Sequence, residues 1–211
     1  MKINAKEFDH RARTVFGPVY PLIADQILAY TGINQGTCLD LGCGGGYLGL
    51  ALARKSDLYV HFLDQSSDML EIVNSNLAEA GLAQSGTSIL ANVEEIPLPD
   101  ASVNLAVSRG SVFFWEDLKS AFSEVYRVLA PGGMTYIGGG FGSAKIKEDI
   151  GRKLDEKGRE NGDKWRNLVK RNMGVEMRQR FLDGLQAADI PDYEVRQDLE
   201  EGTWIVIRKQ D

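Results

Sequence analysis

The run TCLDLGCGGGYLG, Thr37 to Gly49, sets a carboxylate, Asp40, two positions ahead of a cluster of glycines. Glycines that follow an apolar strand leave bare backbone at the carboxyl edge of a sheet, where a ligand can lie against it. Gly42 and Gly44 are therefore candidate ligand-lining residues. A dinucleotide turn would carry a further glycine at position 47, where this chain has Tyr47, and would seat a diphosphate at the following helix. Asp40 would oppose that diphosphate: two like charges about 4 Å apart repel by about 4 kcal/mol at an effective dielectric near 20. The motif suits a ligand that carries positive charge, such as an ammonium or a sulfonium.

S-adenosylmethionine carries both cations and no phosphate, and it leaves as S-adenosylhomocysteine after giving up a methyl group. The other half of a nucleoside site follows 24 residues after Asp40, where VHFLD ends in Asp64. An acidic side chain at the end of the second strand can accept hydrogen bonds from both ribose hydroxyls. Asp64 taken alone could also be a residue that starts a helix, a reading its partner motif makes the lesser one.

The elements that must position these residues are legible as alternating short apolar runs and amphipathic helical runs from Thr37 to Ile137, the pattern of a parallel sheet covered on both faces. Strands are expected at 37–41, 58–63, 87–91, 103–108 and 134–138. Leu118, Ala121, Phe122, Val125, Val128 and Leu129 recur at helical spacing, and PGG at 131–133 is expected to end that helix. A second helix is expected from about Ser66 to Ala80, and a third, added ahead of the sheet, in YPLIADQILAYTG. Lys145 to Arg171 is dense in charge and reads as an exposed helical excursion. YEVRQDL and TWIVIRK are two final strands joined by EEG, close enough for a hairpin, so one of them should run against the rest. The whole forms a single α/β domain over residues 1–211, with residues 1–36 as an N-terminal helical lid and 143–172 as a helical cap.

Totals narrow the function. The chain has 211 residues, and no segment approaches the roughly 18 apolar residues of a membrane span. The N-terminus lacks an apolar stretch after its charges, so a cytoplasmic protein is expected. Two cysteines, Cys38 and Cys43, give no disulfide framework, and the two histidines, His10 and His61, give no metal-ligand spacing. A net charge of −6 argues against unaided nucleic-acid binding and favours a small-molecule partner. The composition leaves the oligomeric state open.

The combination of Asp-x-Gly-x-Gly-x-Gly over 40–46, Asp64, ANVEEIPLPD over 91–100 and AVSRGSVFFWED over 106–117 resembles the class I S-adenosylmethionine-dependent methyltransferases. Within that class it is similar to the quinone-biosynthesis type, and more so to small proteins of anaerobic archaea and bacteria with SRGSVFFWED-like and GGGFG-like segments. The resemblance implies a Rossmann-like, doubly wound, seven-stranded sheet, mostly parallel with one antiparallel C-terminal strand and helices on both faces. It implies that Asp40 holds the methionyl amino group while Gly42 and Gly44 line the methionyl and ribose parts. Asp64 would bind the ribose, with Gln65 and Met69 against the adenine. Asn92 stands where the family usually has an acidic residue, and an amide can still serve the adenine amino edge, with the Val93 N–H beside it. Ser108 and Arg109 would face the methionyl end. Asn104 replaces a common aspartate at the start of the fourth strand.

Acceptor recognition is expected at the ends of the fourth and fifth strands, around SVFFWED and GGGFG, with Phe113, Phe114, Trp115 and Phe141 as walls and Gly139 allowing close approach. Transfer from a sulfonium needs alignment more than a base, and no catalytic residue is identified; His10 and Tyr20 are lid candidates only. The alternative is a protein that binds S-adenosylmethionine as a sensor or scaffold without transferring its methyl group. A nicotinamide-dependent oxidoreductase is a third reading, which tight binding of NAD would support.

Overall fold

The computed structural model describes residues 4–198 and 202–210. Two helices, α1 (Ala5–Thr14) and α2 (Val19–Thr31), precede the sheet. There follow β1 (Gln35–Leu41), α3 (Tyr47–Ala53), β2 (Asp57–Asp64), α4 (Ser67–Glu79), β3 (Gly86–Leu90) and β4 (Val103–Arg109). A single 3-10 turn, Val112–Phe114, leads to α5 (Leu118–Val128) and β5 (Leu129–Gly139). The chain ends with α6 (Ala144–Glu156), α7 (Arg159–Asn172), α8 (Val175–Ala187), β6 (Tyr193–Asp198) and β7 (Gly202–Ile207).

The strands form one seven-stranded sheet in the order β3-β2-β1-β4-β5-β7-β6. Neighbours from β3 to β5 are parallel, and β7 runs antiparallel to both β5 and β6. The expected doubly wound sheet with one reversed strand is what is found. The strand order reverses between β1 and β4, so the crevice outside their carboxyl ends is where a ligand belongs. Most of the EEG turn expected between β6 and β7, and Leu199 before it, lies outside the described residues.

Alternation along β1 divides the molecule. Cys38 joins a core cluster with Ile23 and Ile27 of α2, Leu52 of α3 and Val73 of α4. Leu39 and Leu41 join the opposite cluster with Phe122 and Val125 of α5 and Phe181 and Leu185 of α8. Burying each such side chain contributes about 1.5–3 kcal/mol. The same alternation delivers Asp40 to the α3 side. Side-chain caps from Asn4, Ser66, Asp117 and Ser143 start α1, α4, α5 and α6, each worth about 1 kcal/mol.

Two segments differ from expectation. PGG does not separate α5 from the fifth strand; β5 begins at Leu129 and runs through it. The strand absorbs the turn through a register shift opposite Val103 and Leu105 and a left-handed Gly132 at φ +72°. Residues 145–171 are not merely a solvated excursion. Ile150 and Leu154 of α6 are buried in the first core cluster, and Trp165 of α7 packs edge-on against Phe141 at 5.4 Å between ring centroids. Only the outer face is charged, laced by pairs such as Arg166–Asp155 and Lys164–Glu160.

Candidate functional site

Beyond Leu41 the backbone turns through left-handed glycines, Gly42, Gly44 and Gly46, at φ +61°, +54° and +78°. Space demands glycine as well: a Cβ on Gly42 would lie 2.5 Å from the Ser111 Cβ. A Cβ on Gly44 would lie 3.0 Å from the ring of Phe8, which α1 lays over the turn.

Asp40 sits beneath this cradle at 2% exposure. Its Oδ2 accepts the Gly49 amide at 2.9 Å, and a side chain at Gly49 would meet both that oxygen and the Phe62 ring. Its Oδ1 makes no hydrogen bond among the described residues. Burial pushes the carboxyl up to about 7; the Gly49 amide opposes the shift and the Asp64 charge adds to it. A buried carboxylate short of a partner, at the lip of bare backbone, fits the cationic methionyl end of S-adenosylmethionine and does not fit a phosphate.

Asp64 closes β2, one strand over. Its Oδ2 accepts the Gly44 amide at 2.9 Å and its Oδ1 the Ser66 amide at 3.0 Å. Each oxygen retains a lone pair for a ribose hydroxyl. The residue that caps α4 is Ser66, accepting the Met69 amide at 3.4 Å; Asp64 supports that cap and is not itself the start of the helix. Met69 is buried outside both core clusters, whereas Gln65 is exposed.

Asn92 is exposed, and its side chain accepts the Glu94 amide at 3.2 Å. Val93 is buried in the second cluster. What holds this segment is Arg127 of α5, a residue that sequence reasoning missed. Its guanidinium donates to the Leu98 and Ile96 carbonyls at 2.9 and 2.8 Å and pairs with Glu124 and Asp100. Those carboxylates, Glu124 first, hold Arg127 well above its ordinary value. Arginine in the last turn of an amphipathic helix was the available signal.

At the end of β4, the buried Ser108 shares a hydrogen bond with Ser111, Oγ to Oγ 2.6 Å. Ser111 also donates to the Leu41 carbonyl at 2.8 Å and accepts the Trp115 indole N–H at 3.1 Å. It ties the ends of β1 and β4 together. Arg109 lies half-buried, its Nε donating to the Gly140 carbonyl at 3.2 Å.

The four aromatic candidates separate. Phe141 stands beside Arg109, while Phe114 is 68% exposed. Trp115 is placed in the second core cluster, edge-on to Phe122, and Phe113 packs on Phe181. Gly139 has its open side filled by the Phe113 ring, 2.6 Å from where a Cβ would stand. The space at Gly138 is taken by β7, with the Thr203 carbonyl 2.0 Å from a Cβ there.

The lid candidates also separate. His10 is exposed and Tyr20 packs on Tyr47 at 5.2 Å. Tyr47 donates its hydroxyl to Asp9 and accepts Arg13 Nε at 2.8 Å. Arg13 also bonds Asn76, whose amide holds the Gly45 carbonyl at 2.8 Å. Position 47, notable in the sequence for lacking a glycine, thus fastens α1 across the cradle.

Among the described residues no cluster of His, Cys, Asp and Glu could hold a metal ion, and no helix is long and apolar enough to cross a membrane. Residues 39–137 match the methyltransferase domain family. A Methanococcus maripaludis structure, provisionally described as an S-adenosyl-L-methionine-dependent methyltransferase, is 40% identical, covers 100% of this chain and 98% of its own, and superposes with a TM-score of 0.92. The malonyl-[acyl-carrier protein] O-methyltransferase of Serratia marcescens is 34% identical over 96 residues, 46% of this chain and 35% of that protein. The ubiquinone/menaquinone biosynthesis C-methyltransferase of a Marinomonas species is 27% identical over 136 residues, 63% of this chain and 54% of that one. The chain spans between 24% and 58% of the length of the first curated relatives it matches. The match along the full length at 40% identity decides the family: the chain belongs to the S-adenosylmethionine-dependent methyltransferases, and S-adenosylmethionine is its cofactor.

Proposed function

We propose that the chain moves a methyl group from S-adenosylmethionine to a small-molecule acceptor held at the carboxyl ends of β4 and β5, by in-line displacement. When bound, the cofactor supplies a methyl group on a sulfonium that leaves as a neutral thioether. Asp40 holds the methionyl ammonium, Gly42 and Gly44 let the cofactor approach, and Asp64 receives the ribose hydroxyls. Gln65, Met69, Asn92 and Val93 border the adenine and Ser108 the methionyl end, while Arg109, first expected there too, turns its guanidinium to the Gly140 carbonyl on the acceptor side. Phe141, which faces Arg109, and the exposed Phe114 belong to the acceptor side; Trp115, packed in the core on Phe122, and Gly139, closed by the Phe113 ring, do not line it as expected. Tyr20 has its phenol pushed up by burial, so it stays protonated beside the Arg109 guanidinium. Alignment under α1 and the α6–α7 cap supplies the rate, since proximity alone can contribute about 7–11 kcal/mol.

The observation that carries this reading is Asp40, a buried carboxylate with one oxygen unengaged beside a glycine turn. The acceptors in the names of the relatives differ from one another, a malonyl group in one and a quinone pathway in another. None is carried over. A net charge of −6 supports a small molecule over nucleic acid. Residues 1–36 and 143–172 serve as covers of a single catalytic unit in the cytoplasm.

The test offers methyl-labelled S-adenosylmethionine to the protein with a pool of cell metabolites, beside calorimetric titrations with S-adenosylmethionine, S-adenosylhomocysteine and NAD. Heat is expected from the first two and none from NAD, and label should pass to a metabolite as S-adenosylhomocysteine accumulates. Binding with no transferred label would instead identify a sensor or scaffold.

A further inference from the structure

Arg109 ends β4 with a half-buried guanidinium. The rings of Phe16, Tyr20 and Phe141 stand around its terminal carbon at 5.5, 5.2 and 6.0 Å. Nε is spent on the Gly140 carbonyl, and the Tyr20 hydroxyl engages it as well. Both partners are neutral. Arg127, Arg166 and Arg208 each pair with two carboxylates, but none pairs with Arg109 among the described residues.

A cation drawn out of water is costly unless an anion meets it. Aromatic faces recover part of that cost, about 0.5–2 kcal/mol each, but offer no lone pair to the guanidinium N–H groups. The cage is also braced from outside. Trp165 backs Phe141, and Gln26 donates to the Gly142 carbonyl at 2.9 Å. A rigid, uncompensated fork of donors at the edge of the ligand crevice is complementary to a planar anion.

We propose that the methyl acceptor is an organic acid whose carboxylate pairs with Arg109 inside the Phe16–Tyr20–Phe141 cage. This rests on the methyltransferase reading above and names the substrate class for it. The cofactor's own methionyl carboxylate is the other source of the same chemistry. Arg109, however, turns toward β5, whereas the methionyl group belongs with Asp40 on β1. The strand of Arg109, β4, lies one spacing from β1, and its guanidinium reaches on toward β5, to the Gly140 carbonyl, away from Asp40. Arg109 then anchors the acid and leaves another part of the molecule, or its second oxygen, to face the sulfonium.

The full chain saturated with S-adenosylhomocysteine is titrated with matched acids and primary amides: acetate and acetamide, hexanoate and hexanamide, benzoate and benzamide, phenylacetate and phenylacetamide, with inorganic phosphate alongside. At least one acid is expected to bind tenfold or more tightly than its amide. That preference should vanish in Arg109→Gln while the S-adenosylhomocysteine Kd stays within threefold of wild type. Arg109→Lys, which keeps the charge without the fork, should retain part of it. The proposal is overturned if no acid outbinds its amide, if the preference survives Arg109→Gln, or if phosphate outbinds every acid. It is equally overturned if Arg109→Gln weakens S-adenosylhomocysteine tenfold, which would assign the guanidinium to the cofactor. Failure of wild type to bind S-adenosylhomocysteine would mark the underlying methyltransferase reading as the fault. The wild-type comparison of acids with amides stands even if the glutamine variant does not fold.

Discussion

The amide of Gly44 donates to Asp64 Oδ2 at 2.9 Å, so the glycine cradle after β1 and the carboxylate that ends β2, proposed to receive the ribose, form one hydrogen-bonded unit. Removing the carboxylate therefore loses a ligand contact and the support of the turn together. Asp64→Ala should weaken S-adenosylhomocysteine binding by about 1–3 kcal/mol, the range for a lost hydrogen bond to a charged group. Asp64→Asn, which keeps one acceptor oxygen, should lose less. Calorimetric Kd values measure both, and an alanine variant that binds like wild type would place the ribose elsewhere.

Asp40 predicts a pH dependence with a definite sign. Burial raises its carboxyl to about 7 in the folded chain, above the ordinary value near 4 of an unfolded one. The folded state then holds the proton more tightly, so the stability this group contributes is complete below about pH 4 and lost as pH rises through 7. Ligand binding runs the other way, because a cationic cofactor needs the carboxylate. Affinity for S-adenosylmethionine should rise by up to tenfold per pH unit below about 7 and level off above it. Asp40→Asn should flatten both profiles. Melting temperatures and Kd values between pH 5 and 8 test this, and parallel profiles for wild type and variant would refute it.

The sheet and the cofactor motif were legible because they depend on local rules. Alternation in β1 sends Asp40 and Leu41 to opposite faces, and glycine spacing reports the turn. What was not legible depends on distant partners. Trp115 and Phe141 look alike in sequence, yet one packs on Phe122 and the other faces Arg109. Tyr47 became visible as a fastener only once α1 supplied Asp9 and Arg13 from far along the chain. PGG read as a stop because its local conformation says so, and the strand pairing across β4 overrode it.

The glycines of β5 should separate by what surrounds them. A Cβ at Gly138 would meet the Thr203 carbonyl at 2.0 Å and the Trp204 Cα at 2.9 Å, both backbone atoms of β7 that cannot yield without breaking the strand pair. At Gly139 the obstacle is the Phe113 ring, which can turn aside. Gly138→Ala should thus cost more than about 3 kcal/mol or fail to fold, and Gly139→Ala about 1–3 kcal/mol, as overpacked sites do. Urea unfolding of the two variants checks the order. A smaller loss at Gly138 than at Gly139 would mean that β7 yields more easily than the Phe113 ring.

Arg127 offers the clearest separation of scaffold from contact. It reaches the Ile96 and Leu98 carbonyls, which follow the Asn92–Val93 segment expected at the adenine, and it touches no residue of the cradle. Arg127→Met keeps much of the apolar stem but removes every donor, leaving two carbonyls and the Glu124 carboxylate without their partner. The loss should appear first as mobility of residues 92–100, through faster amide exchange there than in β1. Adenine recognition should then weaken while the Asp40 contact stays intact. S-adenosylhomocysteine would lose affinity severalfold, and the pH dependence set by Asp40 would keep its shape. Unchanged exchange over 92–100 in this variant would show that the Ile96 amide, donating to the Glu124 carboxylate at 2.8 Å, holds the segment without the arginine.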